Sequence, residues 1–162
     1  MIFNKKYQWL FVIAFVFFLF YKLIFCFLLL GGLIVFYVIF YSVFLNNINK
    51  NGKETIGKII SYEIEHEGYK TPLIEFEIYG KKILKKPYYY SSTDLSKFKT
   101  YRNKIDKSIP IIYIPNDPEK FIIKSEKDFN YFSLIFSVIV GLTFILISLA
   151  QLFNFISIDG LS

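Results

Sequence analysis

One apolar stretch near the start of the chain limits the folds open to it. The stretch runs from Tyr7 to Leu45 and reads YQWLFVIAFVFFLFYKLIFCFLLLGGLIVFYVIFYSVFL, 39 residues in which Lys22 is the one charged residue. A run of about 18 or more apolar residues is long enough to cross the hydrocarbon core of a bilayer as a helix. A second such run extends from Tyr131 to Ile156. The sequence therefore predicts a membrane protein with three parts: a transmembrane region at residues 5–45, a polar domain at 46–128 and a transmembrane helix at 130–156.

The first run is too long for a single span. Its 39 residues would extend about 58 Å as one helix, whereas the hydrocarbon core is about 30 Å thick. One interpretation is a helical hairpin that turns near Tyr21–Lys22, with spans at about 5–21 and 24–45. The other is a single span at about 24–45, preceded by an interfacial or signal-like segment. A signal peptide would need a small-residue cleavage site, and Phe18, Phe20 and Tyr21 do not provide one.

Lysines beside the first run favour the hairpin. Lys5 and Lys6 precede the run, and Lys50 and Lys53 closely follow it. Because lysine and arginine collect on the cytoplasmic side of a membrane, both flanks are expected in the cytoplasm, which requires an even number of crossings. The second run would then cross outward to a tail without Lys or Arg, residues 157–162. We expect a multi-pass protein of the bacterial plasma membrane with its polar domain in the cytoplasm.

Gly31 and Gly32 lie inside the first run. They are compatible with a turn or with close packing between helices, which small residues permit. A turn would leave only Leu33 to Leu45 as a second span, so we prefer the packing interpretation.

The polar domain has the alternation of β-strands. Asn46 to Gly52 is polar and turn-forming, which predicts a linker that breaks the helix. In the segment that follows, apolar residues alternate with polar ones, which is typical of half-buried strands. The predicted inward residues are Ile60, Tyr62 and Ile64 in the first strand and Ile74, Phe76 and Ile78 in the second, with Glu75 and Glu77 facing outward. These two strands form a predicted hairpin, and we expect the second to begin after Pro72, which cannot donate to a ladder.

Three more strands follow in the prediction. Gly80–Lys81 is the expected turn before an edge strand at Lys82 to Pro87, whose lysines discourage pairing with another chain. Ile109 to Ile114 and Phe121 to Lys124 are strands joined by the strong turn Pro115–Asn116–Asp117–Pro118. Between them, Ser91 to Asp106 fits a short helix or a long loop. The expected fold is α+β, with an antiparallel sheet of about five strands that is barrel-like or sandwich-like and lies between transmembrane helices.

Composition excludes several classes of function. The chain has a net charge of +6 and a single cysteine, Cys26, so no intramolecular disulfide or thiolate zinc site can form. Arg102 is the one arginine, so no arginine stripe for nucleic acid exists.

The search for catalytic groups is also negative. The one histidine, His66, lies among Glu63, Glu65 and Glu67 without further metal ligands. The carboxylates of Glu63/Glu65 and Glu75/Glu77 are expected to face each other across the hairpin on a solvated surface. No phosphate loop or nucleophile elbow occurs. We therefore predict no catalytic residue, no metal site and no cofactor.

A candidate interaction surface combines tyrosines with lysines. Tyr88, Tyr89 and Tyr90 follow the edge strand, and we expect the outer two rings to pack on the sheet while the middle ring is exposed. The lysines of this surface are Lys81, Lys82, Lys85 and Lys86. They predict contact with anionic lipid headgroups or with another membrane protein.

A set of spaced residues resembles a known family. The set begins at Gly57 and continues as Tyr69, Pro72, Phe76 and Gly80, then as Tyr113, Pro115, Asn116, Asp117 and Pro118, with Gly141 in the following span. It resembles the 3592 family of domains of unknown function, small bacterial membrane proteins with a β-domain between transmembrane helices. The chain departs from that pattern at Asp106–Lys107, where a glycine is usual, and in its extra apolar segment at 7–21. The resemblance implies an architecture and no activity.

These inferences lead to a functional prediction. We expect a non-enzymatic interaction or accessory module that holds a β-domain at the membrane surface. The alternative is an auxiliary subunit of a multi-component transporter or exporter. A membrane enzyme is the third possibility, and the missing catalytic cluster counts against it.

Overall fold

The structure is a computed structural model that describes residues 9, 12–18, 22–64, 70–91 and 101–155, with only the backbone at position 102. His66, Tyr69 and most of the helix or loop expected between Ser91 and Asp106 lie outside these residues. The chain divides into two compact units. The helical unit comprises Met1–Phe40 and Ile135–Ser162, and the β unit comprises Tyr41–Leu134.

The regular elements alternate along the chain as helix, sheet and helix. They are α1 (Leu23–Asn51), β1 (Lys53–Ile64), β2 (Lys70–Ile78), β3 (Lys81–Lys85), β4 (Ser108–Ile114), β5 (Asp117–Ile123) and α2 (Lys127–Leu152), with short 3-10 turns at Tyr101–Lys104 and Lys124–Glu126. The five strands form one antiparallel sheet in the order β3-β2-β1-β4-β5. The prediction of an α+β fold with a five-stranded antiparallel sheet is confirmed, and the sheet is a half-barrel.

Strand β2 supplies the centre of the core. Ile74, Phe76 and Ile78 are buried on its inner face, while Glu75 and Glu77 alternate with them. This confirms the alternation predicted for the strand. The inner face is completed by residues from the other four strands: Ile59, Ile83, Ile111, Tyr113, Phe121 and Ile123.

Strand β1 departs from its predicted pattern. A register shift between Ile59 and Ser61 marks a β-bulge in its pairing with β2. A bulge adds a residue to one strand and changes which side chains face inward. Ile59, before the bulge, is buried, whereas Ile64, the last residue of the strand, is 70% exposed. The expectation that Ile60, Tyr62 and Ile64 share one inward face is wrong, although Tyr62 does pack against the core.

The sheet curls so that the segment after β3 reaches β5. The Tyr88 N–H, just beyond β3, donates to the carbonyl of Phe121 in β5 at 2.9 Å. Inside, the rings of Phe76 and Phe121 meet edge-to-face with centroids 4.9 Å apart. Gly57 lies in the middle of β1, and a Cβ there would come within 2.6 Å of Ile74 Cγ2. Curvature thus brings strands from opposite edges around a shared core.

Pro72 lies inside β2, opposite Tyr62 of β1. The expectation that the strand begins after this proline is wrong, because β2 starts at Lys70. Strand β3 pairs with β2 only from Ile74 onward. Pro72 consequently has a neighbouring strand on one side alone, which is where a residue without an N–H is tolerated in a sheet.

The hairpin between β2 and β3 turns through Tyr79 and Gly80, one residue earlier than predicted. Both residues have positive φ, 52° and 75°. Two left-handed residues are the mark of a type I′ turn, whose twist matches that of the flanking strands. Glycine accepts this conformation freely, whereas a tyrosine there is strained. The Tyr79 side chain is also 82% exposed, so packing does little to compensate for the strain.

Replacing Tyr79 should therefore stabilise the hairpin. Asparagine tolerates the left-handed region, so Tyr79→Asn is expected to raise the free energy of unfolding by up to about 1 kcal/mol. Tyr79→Phe keeps the strain and should leave stability unchanged. Thermal unfolding of the three proteins, followed by circular dichroism, compares them. A Tyr79→Asn variant less stable than Tyr79→Phe would contradict the strain argument.

Helix α1 does not end at the predicted linker. It continues through residues 46–51, so the prediction that Asn46 to Gly52 breaks the helix is wrong. The physical reason is packing. Leu45 and Ile48 are fully buried in the β unit, and Asn51 Nδ2 donates to Asn47 Oδ1 at 2.8 Å one turn earlier. Buried apolar contacts and this side-chain bond override the low helix propensity of asparagine.

Gly52 is the single residue between α1 and β1. Its N–H donates to the carbonyl of Ile48 at 2.9 Å, and a Cβ on it would come within 2.2 Å of that same carbonyl oxygen and 2.5 Å of Ile112 Cγ2. Only glycine therefore allows the chain to pass directly from the last helical turn into the sheet.

The helical unit is built on an antiparallel pair of apolar helices. The rings of Phe27 in α1 and Phe144 in α2 stack with centroids 5.5 Å apart. Near them, a Cβ on Gly31 would lie 2.7 Å from the carbonyl oxygen of Gly141. The two backbones approach closely at these glycines, as small residues permit. The packing interpretation is confirmed for Gly31, and the alternative of a turn at Gly31–Gly32 is wrong, because α1 is continuous there.

The first apolar segment is helical at residues 12–18, and α1 begins directly after Lys22. The Cys26 thiol points to the carbonyl oxygen of Phe15 at 3.5 Å, so the segment lies beside the first turns of α1. Two membrane spans within residues 5–45 remain a prediction.

Two adjacent glycines allow a matched test of the helix pair. Alanine at Gly31 would overlap the backbone of α2, so Gly31→Ala should destabilise the purified protein in mild detergent by about 1–3 kcal/mol. A Cβ at Gly32 would meet no atom of the described residues within 4 Å, so Gly32→Ala should be neutral or slightly stabilising. Thermal unfolding distinguishes them. Equal effects of the two substitutions would rule out close packing at Gly31.

Candidate interaction surface

Strand β3 is an edge of the sheet, as predicted from its lysines. Ile83 is its one buried residue, and Lys81, Lys82 and Lys85 are exposed around it. Lys81 and Lys85 pair with Ile78 and Ile74 of β2, which places them on the same face of the sheet as Ile83. The lysines of this edge strand therefore lie on both faces of the sheet.

Three of the four predicted surface lysines are held in ion pairs. Lys82 Nζ lies 3.4 Å from Glu75 Oε1 on the adjacent strand, and Lys86 Nζ lies 2.9 Å from Glu63 Oε2 of β1. Lys85 pairs with Glu119 of β5, the strand at the opposite edge of the sheet. The surface is thus mixed in charge, and much of its positive charge is neutralised by neighbouring carboxylates.

The pair of Lys85 and Glu119 lies beside the seam where the sheet curls onto itself. The hydrogen bond from Lys85 lowers the pKa of the Glu119 carboxyl, and the charge of Lys81 adds a weaker effect in the same direction. Both side chains are about half exposed, so solvent screens the attraction. The pair therefore joins the two edges of the sheet but contributes little to the free energy of unfolding.

The three tyrosines point in different directions from one short segment. Tyr88 packs its ring against Phe44 of α1, with centroids 4.6 Å apart, and Lys120 Nζ lies 5.4 Å from the centre of the Tyr88 ring. Tyr90 packs against the core of the sheet. The outer rings of the triplet, Tyr88 and Tyr90, are half-buried. The expected packing on the sheet is confirmed for Tyr90, whereas the Tyr88 ring packs against α1.

Tyr89, the middle ring, is buried. Only 6% of it is exposed, so the expectation that the middle ring is available at the surface is wrong. It packs on Tyr41 of α1 with ring centroids 4.6 Å apart, and its hydroxyl lies 3.5 Å from Ser133 Oγ of α2. The reason is the curl of the sheet, which turns this segment toward the helices of the β unit. Tyr88 to Tyr90 thus form an aromatic strap that joins sheet and helix.

The remaining residues of the spaced set are structural where the structure describes them. Phe76 and Tyr113 belong to the core, Pro72 is buried, and Gly80 forms the left-handed turn. Pro115 and Asn116 form the predicted turn between β4 and β5. Asp117 opens β5 and pairs with Lys120 at 2.9 Å, which raises the pKa of that lysine, and Pro118 follows within the strand.

The geometry of the carboxylates differs from the predicted arrangement. Glu63 lies opposite Thr71 in the sheet, and Glu75 lies opposite Lys58. The expected pairing of carboxylates across the hairpin is therefore wrong for these two residues, because the register of the hairpin places Glu63 four residues along β2 from Glu75. Among the described residues, no group of three or more His, Cys, Asp or Glu side chains could hold a metal ion.

Comparisons with known proteins leave the chain without an assigned family. No protein-family model, no curated protein and no solved structure matches it. The resemblance to the 3592 family stays a prediction.

Sequence reasoning missed the residues that complete this region. Glu119 carries no local signal, since its partner Lys85 lies 34 positions away. Tyr41 and Phe44 were hidden in an apolar run. Asn130 is fully buried, and its Oδ1 accepts from the Ser91 N–H at 2.9 Å, which holds the end of the aromatic strap to α2. A polar residue at the start of an apolar helix is the one signal that could have identified Asn130.

Substituting two lysines of β3 in turn distinguishes the effect of the ion pair with Glu119 from a general effect of surface charge. Lys85→Gln removes the partner of Glu119, so the melting temperature at pH 7 should fall slightly more than for Lys81→Gln, which leaves the pair intact. Because the pKa of Glu119 is lowered in the folded protein, its contribution is present above the ordinary glutamate pKa of about 4.3 and is lost as the pH falls through the folded value. The difference between Lys85→Gln and the unmodified protein should therefore shrink at acid pH. Thermal unfolding between pH 7 and pH 3 measures it, and a difference independent of pH would contradict the pairing.

Proposed function

We propose that the protein is an integral membrane protein that holds a non-enzymatic β-domain at the membrane surface as an interaction or accessory module. The observation that carries this proposal is the character of its two long helices. The stretches Leu23–Asn51 and Lys124–Leu152 contain 29 residues each, and their most apolar windows have mean hydropathies of 2.9 and 2.6. Both are long enough to cross a bilayer.

The exposure of these helices supports a membrane over a soluble core. Only 22% and 17% of their most apolar windows are buried within the structure. Large side chains such as Ile39, Phe136 and Ile139 are more than half exposed. A core helix of a soluble protein buries such residues, and contiguous exposed apolar surface of this extent is stable in hydrocarbon.

The connections of the chain support a surface module. Gly52 alone separates α1 from β1, and the 3-10 turn Lys124–Glu126 leads from β5 directly into α2. A domain tethered at both ends by short connections remains near the surface from which its helices emerge. Its partners on this proposal are the bilayer and either a membrane protein or anionic headgroups.

The ion pairs narrow the region that such a partner would meet. Lys85 and Lys86 are engaged with Glu119 and Glu63, so substituting them would disturb the fold of the β unit as well as the surface. Lys81 at the exposed edge is the better candidate for contact with headgroups, together with Lys82, whose pair with Glu75 is longer at 3.4 Å and whose side chain is 75% exposed. The aromatic strap packs within the β unit, where it joins sheet and helix.

Lysines near the ends of the helices support a cytoplasmic β-domain, in what we propose is a bacterial plasma membrane. Lys50 and Lys53 follow the apolar part of α1, and Lys124 and Lys127 precede that of α2. Since positive charge collects on the cytoplasmic side, both ends of the β-domain have the same preference.

The proposal has a direct test in two steps. Alkaline carbonate should leave the protein in the membrane pellet, because it strips peripheral proteins and spares membrane-spanning ones. Reporters active only inside or only outside the cell, fused after Asn51 and after Leu152, should then place Asn51 in the cytoplasm and Leu152 outside it.

Two results would count against the proposal. Release into the carbonate supernatant would refute the membrane location. A reporter after Asn51 that is active only outside would refute the cytoplasmic β-domain and direct the search for partners to the cell envelope.

A further inference from the structure

The exposed surface of both long helices changes from apolar to polar over about one helical turn. On α1, Val43 is 66% exposed, and the next exposed residue is the polar Asn46. On α2, Asp128 is exposed, and Phe132, one turn further along, is 61% exposed. All four residues belong to the β unit. A boundary between apolar and polar surface therefore crosses both helices within this unit.

The two changes lie at the same level. Lys127 Nζ of α2 donates to Asn49 Oδ1 of α1, so in this antiparallel pair the turn before Asn49 lies beside the turn after Lys127. The helix lengths agree with this level. Leu23–Val43 and Phe132–Leu152 contain 21 residues each. A helix of that length rises about 30 Å, which is the thickness of the hydrocarbon core. The remaining turns of both helices extend beyond that thickness.

Tyrosines collect at this boundary. Tyr41 of α1 and Tyr131 of α2 are half-buried there. The aromatic strap adds Tyr88, whose ring centroid lies 4.6 Å from that of Phe44 and 6.1 Å from that of Tyr41. Among the described residues, the Tyr88 hydroxyl has no hydrogen-bond partner. Tyrosine is enriched where hydrocarbon meets water, because its ring is apolar and its hydroxyl is polar.

These observations identify the part of the β unit that meets the bilayer. We propose that Tyr88 anchors the β unit in the headgroup layer, with its ring beside the uppermost acyl carbons and its hydroxyl among the glycerol and phosphate oxygens. The inference rests on the proposed membrane location, which supplies the lipid. Because Tyr88 follows β3 and belongs to neither helix, this contact attaches the sheet itself to the bilayer surface.

The charge beside Tyr88 is locally compensated. Lys120 Nζ lies 5.4 Å from the centre of the Tyr88 ring and 2.9 Å from Asp117 Oδ2. The contact of Tyr88 therefore needs no anionic lipid, and the zwitterionic lipid phosphatidylcholine is sufficient for it. This property distinguishes it from a contact of Lys81 with headgroups, which depends on negative charge.

Tryptophan variants can report the position of Tyr88. Trp9 is the one tryptophan of the chain, so Trp9→Phe gives a background without tryptophan fluorescence. In that background, Tyr88→Trp places the reporter in the strap. Tyr79→Trp is the matched control, because it makes the same replacement in the exposed turn at the other end of β3. Val43→Trp is the reference for a residue in contact with acyl chains.

The experiment measures tryptophan fluorescence of the whole chain in phosphatidylcholine vesicles whose acyl chains carry bromine near the glycerol. Bromine quenches tryptophan at short range. We expect strong quenching in Val43→Trp and Tyr88→Trp, and weak quenching in Tyr79→Trp. Acrylamide, which quenches from the water, should give the opposite order. If Tyr88→Trp does not fold, Lys120→Trp places the reporter beside the same ring, and the same order is expected.

The outcomes separate this inference from the proposed function. Strong quenching in Val43→Trp, with Tyr88→Trp quenched no more than Tyr79→Trp, would overturn the anchor and leave the membrane location supported. Quenching of Tyr88→Trp that requires added phosphatidylglycerol would also overturn it, because charge would then make the contact. Absence of quenching in Val43→Trp, together with release of the chain by carbonate, would refute the membrane location itself.

Discussion

The curl of the five-stranded sheet is the constraint on which the β unit depends. The Tyr88 N–H reaches the carbonyl of Phe121, and Lys85 reaches Glu119, so both contacts join the two edges of the sheet. A flat sheet would leave the inner residues Ile74, Ile111 and Phe121 open to water, whereas in the curled sheet they are fully buried. The positions of the tyrosines and of the edge lysines follow from this geometry.

Much of the sheet could be predicted because its signals are local. The alternation around Ile74, Phe76 and Ile78 identifies β2, and the turn at Pro115–Asn116 identifies the last hairpin. The predictions that were wrong depend on contacts between residues far apart in the sequence. The bulge after Ile59 depends on pairing with β2, and the extension of α1 through residues 46–51 depends on the burial of Ile48 against partners distant in the sequence. Propensity describes a segment alone, and tertiary contacts decide when the two disagree.

The types of residue at the candidate site could be predicted from the sequence, but the way the fold arranges them could not. Lysines at an edge strand are visible in the sequence, and the edge position of β3 is confirmed. The partners of those lysines depend on which strands the curl brings together, so Glu119 could not be assigned to Lys85 in advance. The burial of Tyr89 has the same origin. An alternation rule applies within a strand, and this segment has already left β3 when it turns toward α1.

The passage from α1 to β1 through Gly52 has a mechanical meaning. A flexible linker absorbs rotation, because several residues share the change in backbone angles. A single residue, already in contact with the Ile48 carbonyl and close to Ile112, has no such slack. Any twist of the last turns of α1 about their own axis must therefore be carried into the first residues of β1 and, through its ladder, into β4. The joint acts as a rigid coupling between a helix and the sheet that follows it.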